Sequence, residues 1–286
     1  MPEKLSRQLL AELKPFLSKE LMAGRSMRAI SLEGVRHIAG RYGISLLAAL
    51  KLCLLHDIWP LRFIRNSGVF SAREQSALLD SHVAIVGCGG LGGCAAQLLA
   101  RAGVGGLTLC DGDTFSESNL NRQAGCRESS IGLNKARVTA DTVKDLAGHL
   151  SLKVFPVNLN RQNAPEIIEG AGLVMDCLDS LPARYVLAEV AGESQLPFVH
   201  GTIAGHEGFA AVSLPDDDIL RTLYGDAPPS PSDCAEMALG VPTVTPAATA
   251  SLQCALTIRT LLGKTPEPGT LHHLDISAPF LETLKL

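Results

Sequence analysis

The sequence predicts a doubly wound α/β fold with a mostly parallel sheet, an antiparallel C-terminal extension and a helical N-terminal appendage. Three observations predict it. From Leu61 onward, short apolar runs of strand length alternate with stretches of helical periodicity. One of these steps, "VAIVGCGGLGG" (83–93), passes from strand to helix through a turn built of glycines. After Gly205, "EGFAAVSLP" reads as a strand that turns back on the one before it.

Residues 1–60 read as a helical extension, and 61–286 as the main domain. "SLEGVRHIAGRYGISLLAALKLCLL" (31–55) holds two apolar-periodic stretches broken at Gly43. A helix-turn-helix DNA reader shares that pattern, but no basic recognition face follows the turn. A small cap packed on the main domain is the reading adopted. The main domain then predicts strands at 82–86, 107–110, 152–158, 173–177 and 197–201. Helices are predicted at about 91–102, 134–149, 163–170 and 182–194. "EGFAAVSLP" is a returning strand, "TPAATASLQCALTIRTLLG" a long helix, and "TLHHLDI" with "FLETLKL" a closing strand pair. Between Asp216 and Pro242 lies a segment rich in Asp, Pro, Gly and Ser, read as a functional or mobile loop.

The composition bounds the function. Of 286 residues, 46% are hydrophobic and 19% charged, as in an ordinary globular protein. A net charge of −4 gives no whole-chain footprint for nucleic acid or an anionic membrane. The most apolar run, 44–59, contains Lys51, His56 and Asp57 and falls short of the ~20 apolar residues that span a bilayer. The N-terminus mixes charges of both signs, unlike a signal peptide, so a cytoplasmic protein is expected. The eight cysteines include no C-x-x-C pair, which predicts reduced thiols and no conventional zinc site.

The glycine turn is Rossmann-like: it seats a phosphate on backbone N–H groups at a helix N-terminus, and Gly87, Gly89, Gly90 and Gly92 are its cradle. Asp111 ends the next strand, where an acid about 20 residues on meets ribose hydroxyls. That alone leaves NAD as the default. Just beyond come Asn119, Arg122 and Lys135, and one pyrophosphate on a helix N-terminus does not need the pair of cations among them. A triphosphate carries roughly four negative charges and requires such cations or a metal. "VMDCLDS" (174–180) then delivers Asp176 and Asp179 to a strand end, a position that suits Mg²⁺ held by carboxylate and phosphate oxygens. Together these features select ATP with Mg²⁺.

The motifs "GCGGLG", "CDGDTFSESNLNRQ", "IGLNKAR", "DCLDS" and "CAEMALGVPTVTPAATASLQ" resemble the ubiquitin-activating superfamily. Within it, the likeness is to the bacterial adenylyltransferases that activate sulfur carriers of molybdopterin and thiamine synthesis. The resemblance spans about Leu61 to Leu286. It implies that ATP converts the C-terminal glycine carboxylate of a ubiquitin-like carrier, ending in Gly-Gly, into an acyl-adenylate with release of pyrophosphate. Asp111 and Asp113 would then line the ribose pocket, Asn119 and Arg122 would contact phosphates, Lys135 would neutralise the triphosphate, and Asp179 would bind Mg²⁺. "WPLRFIRNSG" is similar to the family's arginine-finger stretch, which assigns Arg65 to a neighbouring subunit's site and implies a homodimer. Cys234 falls where some members form a covalent link to the carrier and others do without it.

Two departures from the family pattern stand out. Where many relatives begin a structural zinc site, this chain has Ile219 and Thr222, and no C-x-x-C follows near the C-terminus. The family's D-x-x-D-N reads D-x-x-D-S, with Ser180. Ser180 keeps open a second reading, the related tRNA threonylcarbamoyladenosine dehydratase, for which a basic surface would be expected. A non-catalytic binding module and an NAD dehydrogenase are the further alternatives. His200 and His206, with Cys88, Cys110 and Cys177, read as structural.

Overall fold

A computed structural model describes residues 7–22, 24–215, 217–226, 239–278 and 280–286. The site sits on an eight-stranded sheet. Its strands are β4 (His82–Val86), β5 (Gly106–Cys110), β6 (Ser151–Phe155), β7 (Leu173–Asp176), β8 (Phe198–Ala204), β9 (Glu207–Ser213), β10 (Thr270–Asp275) and β11 (Phe280–Lys285). The order across the sheet is β11-β10-β9-β8-β7-β4-β5-β6. Strands β8, β7, β4, β5 and β6 run parallel, and β9, β10 and β11 add on antiparallel. The chain leaves β4 toward β5 and β6, then returns to place β7 on the other side of β4. Two loops therefore part at the carboxyl ends of β4 and β7, which is where open α/β sheets bind ligands.

Helices cover both faces. On one side lie α5 (Gly90–Ala102), α6 (Lys135–Leu146) and α10 (Val244–Leu261). They bury Leu91, Leu99, Val143 and Leu256 against Val83, Ile85 and Leu107. On the other side lie α7 (Ala164–Ile168), α8 (Leu181–Glu193) and α9 (Ile219–Tyr224), which bury Ile167, Leu187, Ile219 and Leu220. The central strands are apolar on both faces for this reason. Each such side chain is worth ~1.5–3 kcal/mol of burial.

The N-terminal unit is not purely helical. Helices α1 (Arg7–Glu12), α2 (Leu32–Tyr42) and α3 (Leu46–Leu55) are joined by a three-stranded sheet of β1 (Leu17–Met22), β2 (Arg25–Ile30) and β3 (Ile58–Pro60). The expectation of a helical segment without strands is corrected here. "LSKELMAGRSMRAI" is rich in good helix formers, but Gly24 takes φ +75° and folds it into a hairpin with Leu17 opposite Ile30. Cross-strand packing then overrides local propensity. The break at Gly43 is real: it ends α2 at φ 61°, and Ser31 and Ser45 cap α2 and α3 with their hydroxyls.

The unit rests on the main domain as a cap. Its core of Ile30, Val35, Leu50, Ile58 and Trp59 continues into Phe63, Ile64 and Leu79, the last from α4 (Ala72–Asp80). Lys51 pairs with Asp80 across the seam, and Arg62 donates to the Leu146 carbonyl at 2.8 Å. No single helix among the described residues is long and apolar enough to cross a membrane.

Candidate active site

At the fork between β4 and β7 opens a cleft of about 340 Å³. Gly87 makes the turn possible. It has φ +92°, and its N–H donates to the Cys110 carbonyl at 2.8 Å. A Cβ there would stand 2.3 Å from the Cys177 carbonyl oxygen. Gly92, in the first turn of α5, packs directly on the turn, since a Cβ would lie 1.7 Å from the Gly87 oxygen. Gly89 caps α5 without a side chain, which leaves the first-turn N–H groups for an anion. All three of Gly87, Gly89 and Gly90 line the cleft.

Asp111 follows β5 and is fixed by two backbone donors. Its Oδ2 accepts from Cys88 N–H at 2.7 Å and its Oδ1 from Asp113 N–H at 2.8 Å. Burial raises its pKa, and those two amides and Lys135 oppose the rise. Asn134 caps α6 and donates to the Asp111 and Asp113 carbonyls at 2.9 and 3.0 Å, which ties the acidic loop to the helix. Lys135, the first residue of α6, is only 8% exposed, and its Nζ meets the exposed Asp113 carboxylate at 3.0 Å. The ammonium is thus buried while the carboxylate it meets faces solvent.

The loop carrying Arg122 and Gln123 also lines the cleft. Arg122 Nη1 donates to the Ser118 carbonyl at 2.9 Å and to Asn121 Oδ1 at 3.0 Å. Asn119 behaves differently from expectation. It is buried and absent from the cleft lining, and its Oδ1 accepts from Ser116 N–H at 3.0 Å. Its carbonyl takes the Arg122 and Gln123 N–H groups at 3.2 and 3.0 Å, so it builds the loop that presents Arg122. Gln123 was missed as a site residue. It lines the cleft, is buried, and has an Oε1 without a partner. The signal was available: Gln123 ends the same S-N-L-N-R-Q run.

Asp179 and Ser180 line the third wall, both exposed, on the loop after β7. Asp176 does not join them. It is fully buried against Arg184 and His200 at 3.3 and 2.8 Å. Burial alone would raise the Asp176 pKa, but the Arg184 charge and the His200 hydrogen bond hold it low. His200 has its pKa lowered by burial, as a structural histidine would. Cys88, Cys110 and Cys177 have thiol pKa values raised by burial, Cys110 to about 12, so they are unreactive.

Asp179 is the carboxylate that could hold a magnesium ion at this site. Among the described residues no three His, Cys, Asp or Glu side chains gather into a cation cage. Asp179 can supply one carboxylate, with phosphate oxygens and water completing the shell, as Mg²⁺ prefers. Ile219 and Thr222, where the resemblance places the first zinc pair, lie on α9, which buried Ile219 and Leu220 fasten to the sheet. Arg65 is exposed on the short 3-10 helix Leu61–Asn66 and does not line this cleft. Cys234 lies outside the described residues.

A switch-point cleft with a phosphate cradle, a ribose-type acid and paired cations defines a nucleotide-binding α/β protein. Residues 63–286 match the ThiF family, and the chain belongs to it. The SAMP-activating enzyme E1 of Haloferax volcanii is 36% identical over 190 residues, which cover 66% of this chain and 70% of that protein. The adenylyltransferase and sulfurtransferase MOCS3 of Xenopus laevis is 32% identical over 222 residues. That match covers 76% of this chain, which spans only 48% of the relative's length. Among solved structures, PaaA superposes with a TM-score of 0.62 at 18% identity, covering 99% of this chain and 84% of its own. That coverage takes in the N-terminal cap, which precedes the ThiF match. The likeness is one of fold.

Proposed function

We propose that this protein uses ATP to adenylate the C-terminal glycine carboxylate of a ubiquitin-like sulfur carrier, releasing pyrophosphate. The observation that carries the reading is convergence. One cleft collects the glycine cradle, Asp111, Arg122, Lys135 and Asp179. A carboxylate oxygen attacks the α-phosphorus, the bond to the bridging oxygen breaks, and pyrophosphate leaves with that electron pair. Both partners are anions, so Arg122 and Lys135 would offset their repulsion and the charge on the leaving group. Asp111 would hold the ribose, with Asp113 released from Lys135 as the phosphates enter.

Charge counting supports two further parts of the reading. The cleft lining holds Asp111, Asp113 and Asp179 against Arg122 and Lys135, a net charge of −1. A triphosphate with roughly four negative charges needs more positive charge than that. When bound to Asp179, Mg²⁺ would supply charge at the phosphate oxygens. Arg65 from the second subunit of a homodimer would supply the rest. The whole would operate in the cytoplasm.

The test is ATP–pyrophosphate exchange with candidate partners. Exchange that depends on a small ubiquitin-like protein ending in Gly-Gly, and is lost when its last glycine is removed, is the expected result. Exchange that depends on modified tRNA would transfer the protein to the dehydratase reading. Nucleotide binding without exchange in either case would make it a binding module.

A further inference from the structure

Beneath the cleft floor lies a set of buried polar groups that the proposed reaction does not use. Asp176, at the end of β7, is their centre. Its Oδ1 accepts from Leu178 N–H at 3.0 Å, which shapes the loop one residue before Asp179. Its Oδ2 accepts from His200 Nδ1 at 2.8 Å and from Arg184 Nη1 at 3.3 Å. Its backbone carbonyl accepts from Gln253 Nε2 at 2.9 Å, and Arg184 Nη1 also donates to the Gly201 carbonyl at 2.7 Å. Asp176, Arg184 and His200 are all at most 2% exposed.

The chain of bonds continues to α9. Arg184 Nη1 stands 3.3 Å from His200 Nδ1, but the shorter contact to the carboxylate assigns the Nδ1 proton to Asp176. A neutral ring that donates from Nδ1 must accept at Nε2. Tyr224 Oη lies 3.2 Å from that nitrogen, so the tyrosine hydroxyl is the donor. The Tyr224 oxygen in turn interacts with the Thr202 hydroxyl. Tyr224 is the last residue of α9, whose end is pinned by Tyr185 Oη donating to the Gly225 carbonyl at 2.7 Å. Every donor and acceptor in the row has one assigned direction: Tyr224 to His200, His200 to Asp176, and Leu178 N–H to Asp176.

The geometry points to Tyr224 and His200 as positioning residues that set the Asp179 loop through Asp176, so that the end of α9 governs how Asp179 meets a divalent cation. The inference rests on the reading of Asp179 as the magnesium carboxylate. A polar network in a low-dielectric interior holds its geometry only while each member is satisfied. Removing the Tyr224 hydroxyl orphans His200 Nε2, frees the ring to change its proton arrangement, and loosens the one acceptor that orders Leu178. Tyr224 also packs edge-on against the His200 ring, with centroids 5.9 Å apart, so Tyr224→Phe keeps the packing and removes only the bond.

The full-length protein with a non-hydrolysable ATP analogue is titrated with Mn²⁺ and followed by electron paramagnetic resonance, beside magnesium titrations of ATP–pyrophosphate exchange. Tyr224→Phe is expected to weaken metal binding about ten-fold, the worth of one buried hydrogen bond. Metal-free nucleotide affinity should stay near wild type, and the melting temperature should fall by only a few degrees, the cost of one orphaned buried acceptor. Tyr224→Leu, which removes ring and hydroxyl, should show the same metal defect with an added loss of melting temperature. Wild-type metal affinity in Tyr224→Phe, beside weakened metal binding in Asp179→Asn, would overturn the positioning role and leave the Asp179 reading intact. Unchanged metal affinity in Asp179→Asn would overturn both.

Discussion

Replacing Gly87 with alanine tests the turn on which the site is built. The residue sits at φ +92°, where an L side chain costs about 1–2 kcal/mol. The new Cβ would meet the Cys177 carbonyl oxygen at 2.3 Å, and that atom belongs to the backbone at the end of β7. Relief requires moving the fork itself, an overpacking strain of ~1–3 kcal/mol. Together the two effects cost about 2–5 kcal/mol. A chain of this size loses ~2–4 °C per kcal/mol, so melting should fall by roughly 4–20 °C. The displaced backbone leads straight to Asp179, so ATP binding should weaken by at least about ten-fold. Differential scanning calorimetry and isothermal titration with ATP read both effects. Gly40→Ala is the control: nothing stands within 4 Å of its Cβ, it lies inside α2, and its melting temperature should hold or rise. A Gly87→Ala protein with native melting and native ATP affinity would refute the reasoning.

Asp179→Ala should abolish ATP–pyrophosphate exchange with its melting temperature within a few degrees of wild type, because the side chain is exposed; residual exchange at ordinary magnesium would reject the metal role. Arg65→Ala should be inactive alone and regain exchange when mixed with a Lys135→Ala subunit, since one hybrid site then holds both groups; no recovery on mixing would exclude an arginine acting across subunits. His149 is buried with both ring nitrogens unpartnered, and burial lowers its pKa from 6.5 to about 4. As the pH is lowered the unfolded chain therefore takes the proton first, and stability is lost between about pH 6.5 and 4 by up to about 3 kcal/mol. His149→Leu should flatten that part of the pH profile in urea melts, and an unchanged profile would assign the acid sensitivity elsewhere.

The parts of the site that were legible in the sequence are those fixed by strand ends. Gly87, Asp111, Lys135 and Asp179 each follow an apolar run or open a periodic one, so the sheet itself places them. Asn119 shows the limit: its type suits a phosphate ligand, but only the three-dimensional loop reveals that its oxygen is spent on Ser116. Arg184 left no signal, because "PARYVLAEV" reads as an ordinary helix and its burial depends on Asp176 arriving from another strand. The N-terminal hairpin was hidden for a related reason. Its residues favour a helix locally, and the partner that decides otherwise, β3, lies about thirty residues further on.

The apolar seam under the cap has a practical meaning for anyone preparing this protein. Phe63, Ile64 and Leu79 belong to the main chain segment but are buried in the core of the first sixty residues. A shortened version starting where the ThiF match starts would bare those three side chains to water. The leading segment is therefore a built-in half of one cooperative body, and heating the intact chain should melt both halves in a single step.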